Sequence, residues 1–430
     1  MAPRTDPDVG CSVPEAGQWP VDPQEHVPIR EDRLWIDGCF DFFHHGHAGV
    51  MLQSRRFGND LLVGLHNDED IAANKGPTVM NLAERVAAVN ACRFSTLCVP
   101  HAPYVTSIPW ISHYGCRYVT HGDDITSDAS GEDCYRFVKK AGRMKIVPRT
   151  PGISTTDLVG RMLACTKDHF IDSLVDCFEG REDTSGKAGG AEGGQEMHKR
   201  IQEYAAAPNG VDPYVEVYSY AWEAGQRDGH KFTSLVSGSQ PRSDQRLVYV
   251  DGGFDLFSSG HIAFLESVAK LEPGAFIVAG VHDDKVINQY RGVNYPIMNI
   301  FERGLCVVQC TYIHSVVFGA PYTPSKAYLE SLPFGRTPDA VYHGRTAFMP
   351  TSLDPYADAK AMGIFKETPE HDFQDVNAAQ IVQRIMDSRD EYEARQKKKG
   401  QKAVGEEAHH KRELLEREAE TERQRRLNEA

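Results

Sequence analysis

In the segment Asp41-Phe42-Phe43-His44-His45-Gly46-His47, His44 and His47 flank a glycine at a spacing of three residues. At the tightly turned start of a helix this spacing lets both rings project towards one point. There they could donate hydrogen bonds to a pentacoordinate phosphorus and a departing pyrophosphate. Gly46 would let a ligand approach the backbone closely, and the amides opening the helix would bind phosphate oxygens. Taken alone, an H-x-G-H pattern serves equally well as a pair of surface histidines or a metal site. Three further features favour phosphate chemistry. Lys75, in NKGP, could neutralise triphosphate charge. Arg85, in AER, is either a second such cation or one end of a helix-face salt bridge. The third is Arg149-Thr150-Pro151-Gly152-Ile153-Ser154-Thr155-Thr156-Asp157, immediately before the helix-like LVGRML. A cation, a glycine and hydroxyls at a helix start form an anion cradle. Helix capping would account for Ser154 to Asp157, but not for Arg149 and Gly152 as well.

The elements that must position these residues alternate in type. LWID reads as a strand, the stretch 47–56 as a helix, LLVGLH as a second strand, 81–92 as a helix and RYVTHG as a further strand. Strands alternating with helices imply parallel βαβ units and a doubly wound sheet. Ligands in such sheets bind beyond the carboxyl ends of the strands, where CFDFFHHGH, HNDEDIAANKGP and HGDD all fall.

The same organisation occurs twice. LWIDGCFDFFHHGHAGVML (34–52) recurs as VYVDGGFDLFSSGHIAFLE (248–266), and LLVGLHND (61–68) as FIVAGVHDD (276–284). AER pairs with FER (301–303), APY (102–104) with APY (320–322), and VTHG (119–122) with VYHG (341–344). The offset grows from 214 to 222 residues, as small loop insertions would produce. The expected architecture is therefore two tandem Rossmann-like, doubly wound parallel-sheet α/β domains. The expected divisions are a flexible arm (1–30), a first domain (31–178), a partly Gly/Glu-rich linker (179–245), a second domain (246–388) and a charged helical tail (389–430).

Composition sets outer bounds. The 430 residues are 40% hydrophobic and 25% charged, as in a globular protein too long for one core. A net charge of −14 argues against a dedicated nucleic-acid binder, which needs clustered cations. No stretch approaches the roughly 20 apolar residues of a membrane span, and the tail lacks the apolar face of a membrane-surface helix. Ten cysteines without a CxxC pair fit reduced thiols in the cytoplasm rather than disulfides or zinc.

The combination of H-x-G-H near the start with R-T-x-G-x-S-T-T-D farther on resembles the cytidylyltransferase family that makes CDP-alcohols, within the HxGH nucleotidyltransferases. The likeness is strong over 33–165 and weaker over 246–390. The duplicated arrangement is similar to the branch of that family acting on ethanolamine phosphate. The resemblance implies in-line attack of the phosphate of phosphoethanolamine on the α-phosphorus of CTP, without a covalent intermediate. His44 and His47 match the signature histidines, and Lys75 and Arg149 the triphosphate-contacting cations. Gly38, Phe40, Gly46, Arg85, His121, Gly122, Asp123, Thr150, Gly152, Ile153, Ser154 and Thr155 fall where the family holds nucleotide. Magnesium would arrive with CTP, with no dedicated protein ligands. Asp41, Tyr104, Tyr118 and Tyr135 are positional candidates for the ammonium end of phosphoethanolamine. The expected partners are these two substrates, with a homodimer as an assembly to consider. Phosphocholine and glycerol 3-phosphate are the rival acceptors. An adenylyltransferase is disfavoured by RTPGISTTD, and a non-catalytic nucleotide-binding scaffold by the intact first-copy motifs.

The second copy departs from the pattern. Ser258 stands where His44 does, Arg291 replaces Lys75, and KETPEHDFQDVNAAQ (366–380) replaces the cationic R-T-x-G-x-S-T-T stretch. Serine cannot carry positive charge, so this copy is expected not to catalyse.

Overall fold

The computed structural model describes residues 4–17, 26–124, 126–181, 193–222, 229–345 and 354–394. The first copy comprises β1 (Arg30–Gly38), α1 (His45–Arg55), β2 (Asp60–Leu65), α2 (Asp68–Lys75), α3 (Leu82–Asn90), β3 (Leu97–Pro100), α4 (Ile108–His113), β4 (Cys116–Gly122), α5 (Arg136–Lys140), β5 (Met144–Val147) and α6 (Thr155–Ala164). Then come α7 (Leu174–Phe178), α8 (Gly194–Tyr204) and a hairpin of β6 (Glu216–Trp222) and β7 (His230–Val236). The second copy runs through β8 (Leu247–Gly252), α9 (Ser259–Leu271), β9 (Phe276–Val281), α10 (Asp284–Arg291), α11 (Ile300–Val308), β10 (Ser315–Phe318), α12 (Lys326–Glu330), β11 (Ala340–His343), α13 (Ala357–Ala361), β12 (Phe365–Glu367) and α14 (Ala378–Asp387).

The first sheet is wholly parallel in the order β3-β2-β1-β4-β5. Its middle strands are buried on both faces, as the continuous apolar runs LWI and LLV require. Chain order reverses between β1 and β4, and it is beyond the carboxyl ends of strands at such a reversal that sheets of this kind bind ligands. The second sheet repeats this as β10-β9-β8-β11-β12 and is extended by β6, parallel to β10, and antiparallel β7. Two parallel-dominated α/β units thus follow from the alternating pattern.

Two segments behave differently from expectation. The stretch 179–245, expected as a linker, supplies α8 and the β6–β7 pair that completes the second sheet; within it, 182–192 and 223–228 lie outside the described residues. The arm expected to be flexible is docked over 4–17, where Asp6 is buried and Arg143 donates to it at 2.6 Å. Thr5 and Ser12 form a bridge within that segment. An acidic turn facing a buried arginine is what holds it. The charged tail lies outside the described residues beyond 394. Among the described residues no helix is long and apolar enough to cross a membrane.

The copies meet through equivalent elements. α3 packs on α9 and α1 on α11, while Cys92 and Cys310, equivalent in the repeat, form an antiparallel bridge. Arg161 of α6 donates to both oxygens of Glu302, and Arg384 of α14 to both oxygens of Glu84, each at 2.8 Å. Each glutamate also completes a capping box with an asparagine, Asn81 or Asn299, at its own helix start. This reciprocity is that of an isologous contact built inside one chain.

Candidate active site

The loop leaving β1 is strained and then capped. Phe40 and Phe42 adopt left-handed φ values of 50° and 49°, a conformation costly for bulky side chains. His44 is the N-cap of α1, and its Nδ1 accepts from the Gly46 N–H at 3.1 Å. His47, at the third helical position, accepts from the His44 N–H through its own Nδ1 at 3.3 Å. Two imidazoles thus form a capping box. Because each Nδ1 is an acceptor, each neutral ring carries its proton on Nε2. The rings stack at 4.0 Å and 17°, so the two imidazole planes lie nearly parallel and in contact. A Cβ on residue 46 would lie 2.8 Å from the His44 ring and 3.0 Å from Ile153, which is why glycine is needed here.

Ile153 belongs to the loop between β5 and α6, so that loop closes directly on the signature turn. Thr155 Oγ1 donates to the Asp41 carbonyl at 3.0 Å, fastening the start of α6 to the same turn. Ser154 caps α6 by accepting from the Asp157 N–H, and Gly152 takes a φ of 87° to enter it. Arg149 is exposed at this edge and forms no ion pair among the described residues. Lys75, the last residue of α2, is exposed with its ammonium 5.9 Å from the Tyr104 ring centre. At the end of β4, His121 packs on Tyr135 at 4.5 Å, followed by Gly122 and an exposed Asp123. Two helix starts, two cations and paired imidazole donors at one sheet edge suit a polyphosphate and its developing charge.

A family model described as cytidylyltransferase-like matches residues 35–161 and again 249–385. The chain belongs to the cytidylyltransferase family. It is 40% identical to the ethanolamine-phosphate cytidylyltransferase of Mus musculus over 377 residues, 86% of this chain and 90% of that one. The Dictyostelium discoideum protein of the same name is 37% identical over 86% of this chain and 95% of its own length. Choline-phosphate cytidylyltransferase A of Rattus norvegicus is 38% identical over only 136 residues, 31% of this chain. The ethanolamine-phosphate relatives thus align through both copies, and the choline-phosphate relative over a length close to that of one copy.

Within this cytidylyltransferase several expected contacts prove to be architecture. Arg85, expected at the nucleotide, has a fully buried side chain that donates to the carbonyls of Cys39, His66 and Met80 and to Asp68. It ties the signature turn to the end of β2. Asp41, expected at the ammonium, accepts from the Val79 and Met80 N–H groups. Tyr118 lies towards the far end of β4, where its hydroxyl donates to Glu31 at the start of β1. Tyr135 is buried and donates to Asp37 at 2.7 Å. The Phe40 ring is buried against Gly38 and His47, supporting the imidazole from beneath. Of the four ammonium candidates, Tyr104 stands beside the predicted cation Lys75; burial raises its hydroxyl to about 12.

Two residues at the edge were not anticipated. Asp37 ends β1 buried, accepting from Trp35 Nε1, Thr106 Oγ1 and Tyr135 at 2.8, 2.6 and 2.7 Å. His66 follows β2 with Nδ1 at 3.1 Å from the Ala102 carbonyl and its ring 4.9 Å from Tyr104. Their signal was their place in the repeat, VDG and HDD, rather than their type.

The second copy keeps the scaffold and loses the donors. His261 accepts from the Ser258 N–H, as His47 does from His44, but the Ser258 hydroxyl donates to the Val376 carbonyl at 2.7 Å. Aligning the starts of α6 and α14 places Asp372, Phe373 and Asp375 where Arg149, Thr150 and Gly152 stand. The carbonyls of Val376 and Phe373 would lie 2.3 and 2.8 Å from a Cβ on Gly260. Backbone oxygen and carboxylate thus replace cation and glycine.

Proposed function

We propose that this chain transfers the cytidylyl group of CTP to phosphoethanolamine, giving CDP-ethanolamine and pyrophosphate, at the carboxyl edge of its first sheet. The observation that carries this reading is the stacked His44–His47 pair closed over by the 149–155 loop, in a chain aligned over 86% of its length with relatives named ethanolamine-phosphate cytidylyltransferase. An oxygen of the phosphoethanolamine phosphate attacks the α-phosphorus of CTP in line as the bond to the bridging oxygen of pyrophosphate breaks. The Nε2–H groups of His44 and His47 donate to phosphoryl oxygens whose charge grows in the transition state. Lys75 and Arg149 hold the β- and γ-phosphates, and the first amides of α1 and α6 add fixed partial charge. Gly38, Gly46, His121, Gly122, Asp123 and the 150–155 loop hold the nucleotide. The Tyr104 ring beside Lys75 is our candidate wall for the acceptor's ammonium.

Magnesium enters with the nucleotide. Among the described residues no three His, Cys, Asp or Glu side chains converge as ligands, so the ion would be held by triphosphate oxygens and water. A cytoplasmic setting is supported by all ten cysteines being unpaired. A homodimer is a further proposal, open to sedimentation. The second copy, in our reading, braces the first and does not turn over substrate.

The test supplies purified protein with labelled CTP, magnesium and, separately, phosphoethanolamine, phosphocholine and glycerol 3-phosphate. CDP-ethanolamine is the expected main product. A preference for phosphocholine would overturn the acceptor, and no CDP-alcohol at all would overturn the reaction.

A further inference from the structure

Tyr204 closes α8, in the segment between the copies and outside both stretches matched to the family. It is 2% exposed, and its hydroxyl donates to the His45 carbonyl at 2.5 Å. His45 lies between the signature histidines. The Thr150 hydroxyl hydrogen-bonds Tyr204 in turn, and Arg200, one turn earlier in α8, donates to the Pro151 carbonyl at 3.3 Å. A Cβ on residue 49 would lie 2.2 Å from Thr150 Oγ1 and 2.3 Å from Tyr204 Oη, so Gly49 of α1 makes room for this junction. The His45 ring faces Tyr204 and Phe301 of the second copy, each at 6.4 Å, and α8 itself packs on α11.

We infer that Tyr204 is a positioning residue for cytidylyl transfer: its hydroxyl sets the separation between the histidine turn and the 149–155 loop. The Tyr204 oxygen hydrogen-bonds a residue of each loop, the His45 carbonyl and the Thr150 hydroxyl. Burial raises the phenol well above its ordinary value, so it remains a donor at any working pH. The bland alternative, a tyrosine buried only for packing, predicts the same contacts with the aromatic ring but no kinetic need for the hydroxyl. Through α8 the second copy would thus govern the geometry of a reaction it does not perform.

The inference rests on the cytidylyltransferase reading, and the parent protein measured alongside separates the two: no CDP-ethanolamine from the parent defeats that reading, not this one. Tyr204→Phe removes one oxygen and keeps the ring. It should lower kcat/KM for CTP about 10- to 100-fold, as small misplacements of reacting groups do, with KM for phosphoethanolamine unchanged. Unaltered CTP parameters in a folded Tyr204→Phe protein, even one of lower Tm, would overturn the proposal. Gly49→Ala, which forces the same junction apart, should reproduce the CTP defect should Tyr204→Phe fail to fold. Normal CTP kinetics in Gly49→Ala would count equally against it.

Discussion

At the scale of single residues, the proposed chemistry rests on a capping box made of imidazoles. Fixing each Nδ1 on a backbone amide determines the tautomer, and stacking holds the two rings in contact. Gly46→Ala should therefore displace the His44 ring and lower kcat about 10- to 100-fold with little change in Tm, measured by steady-state kinetics and thermal melting. A second residue prediction concerns Asp251, the counterpart of Asp37. Asp251 accepts from Tyr356, and burial raises its carboxyl to about 7. A carboxyl raised in the folded state binds more protons there than in the unfolded chain, so its contribution is lost as pH rises from about 4 to 7. Asp251→Asn should thus be more stable than the parent by about 2–4 kcal/mol at pH 8, and the gain should vanish near pH 4. Denaturant titration at both pH values checks it; a pH-independent difference would contradict it.

The residues that were legible and those that were not divide on physical grounds. His44, Arg149 and Gly152 differ between the copies, as Ser258, Asp372 and Asp375 show. Arg85, Asp41 and Tyr135 recur as Arg303, Asp255 and Tyr356, which make the same contacts in a copy without the donor set. Polar type suggested ligand contact for them, while persistence in the altered copy marks them as architecture. His47 and His261 share the capping role, which is why that histidine persists.

At the scale of elements, the strand–helix alternation was readable because each parallel strand is apolar on both faces, and each observed element of the signature region sits within a few residues of its expected position. Helix α8 and the β6–β7 hairpin were not readable as parts of the fold. They lie beyond a Gly/Glu-rich run, and what fixes them is packing on α11 and β10, far away in sequence. The docked arm was missed for a similar reason, since Asp6 finds its partner 137 residues away. Helix α6 depends on the Ser154 cap, whose oxygen accepts from the Asp157 N–H at 3.1 Å. Ser154→Ala should cost about 1 kcal/mol in denaturant stability and raise KM for CTP, because the same helix start faces the phosphates in the proposed binding mode.

At the scale of the molecule, the two copies form one reciprocal interface. Glu302 has no exposed side-chain surface, and Arg161 is nearly as buried. Glu302→Gln would leave the arginine uncompensated, and a loss of about 3–5 kcal/mol is expected by chemical denaturation. Arg93 strengthens the case for joint unfolding, since it donates to the carbonyls of Val308, Cys310 and Ile313 across the same contact. The parent should therefore show one calorimetric transition, and two separated transitions would show the halves to be independent. In the proposed division of labour, the second copy contributes such contacts rather than turnover.

The most direct measurement compares His47→Ala with His261→Ala in the rate of CDP-ethanolamine formation at saturating substrates. His47→Ala should fall by about 10²–10³, the cost of losing one preorganised donor, while His261→Ala should stay within a few-fold of the parent. Equal losses in two folded variants would contradict the assignment of catalysis to the first copy.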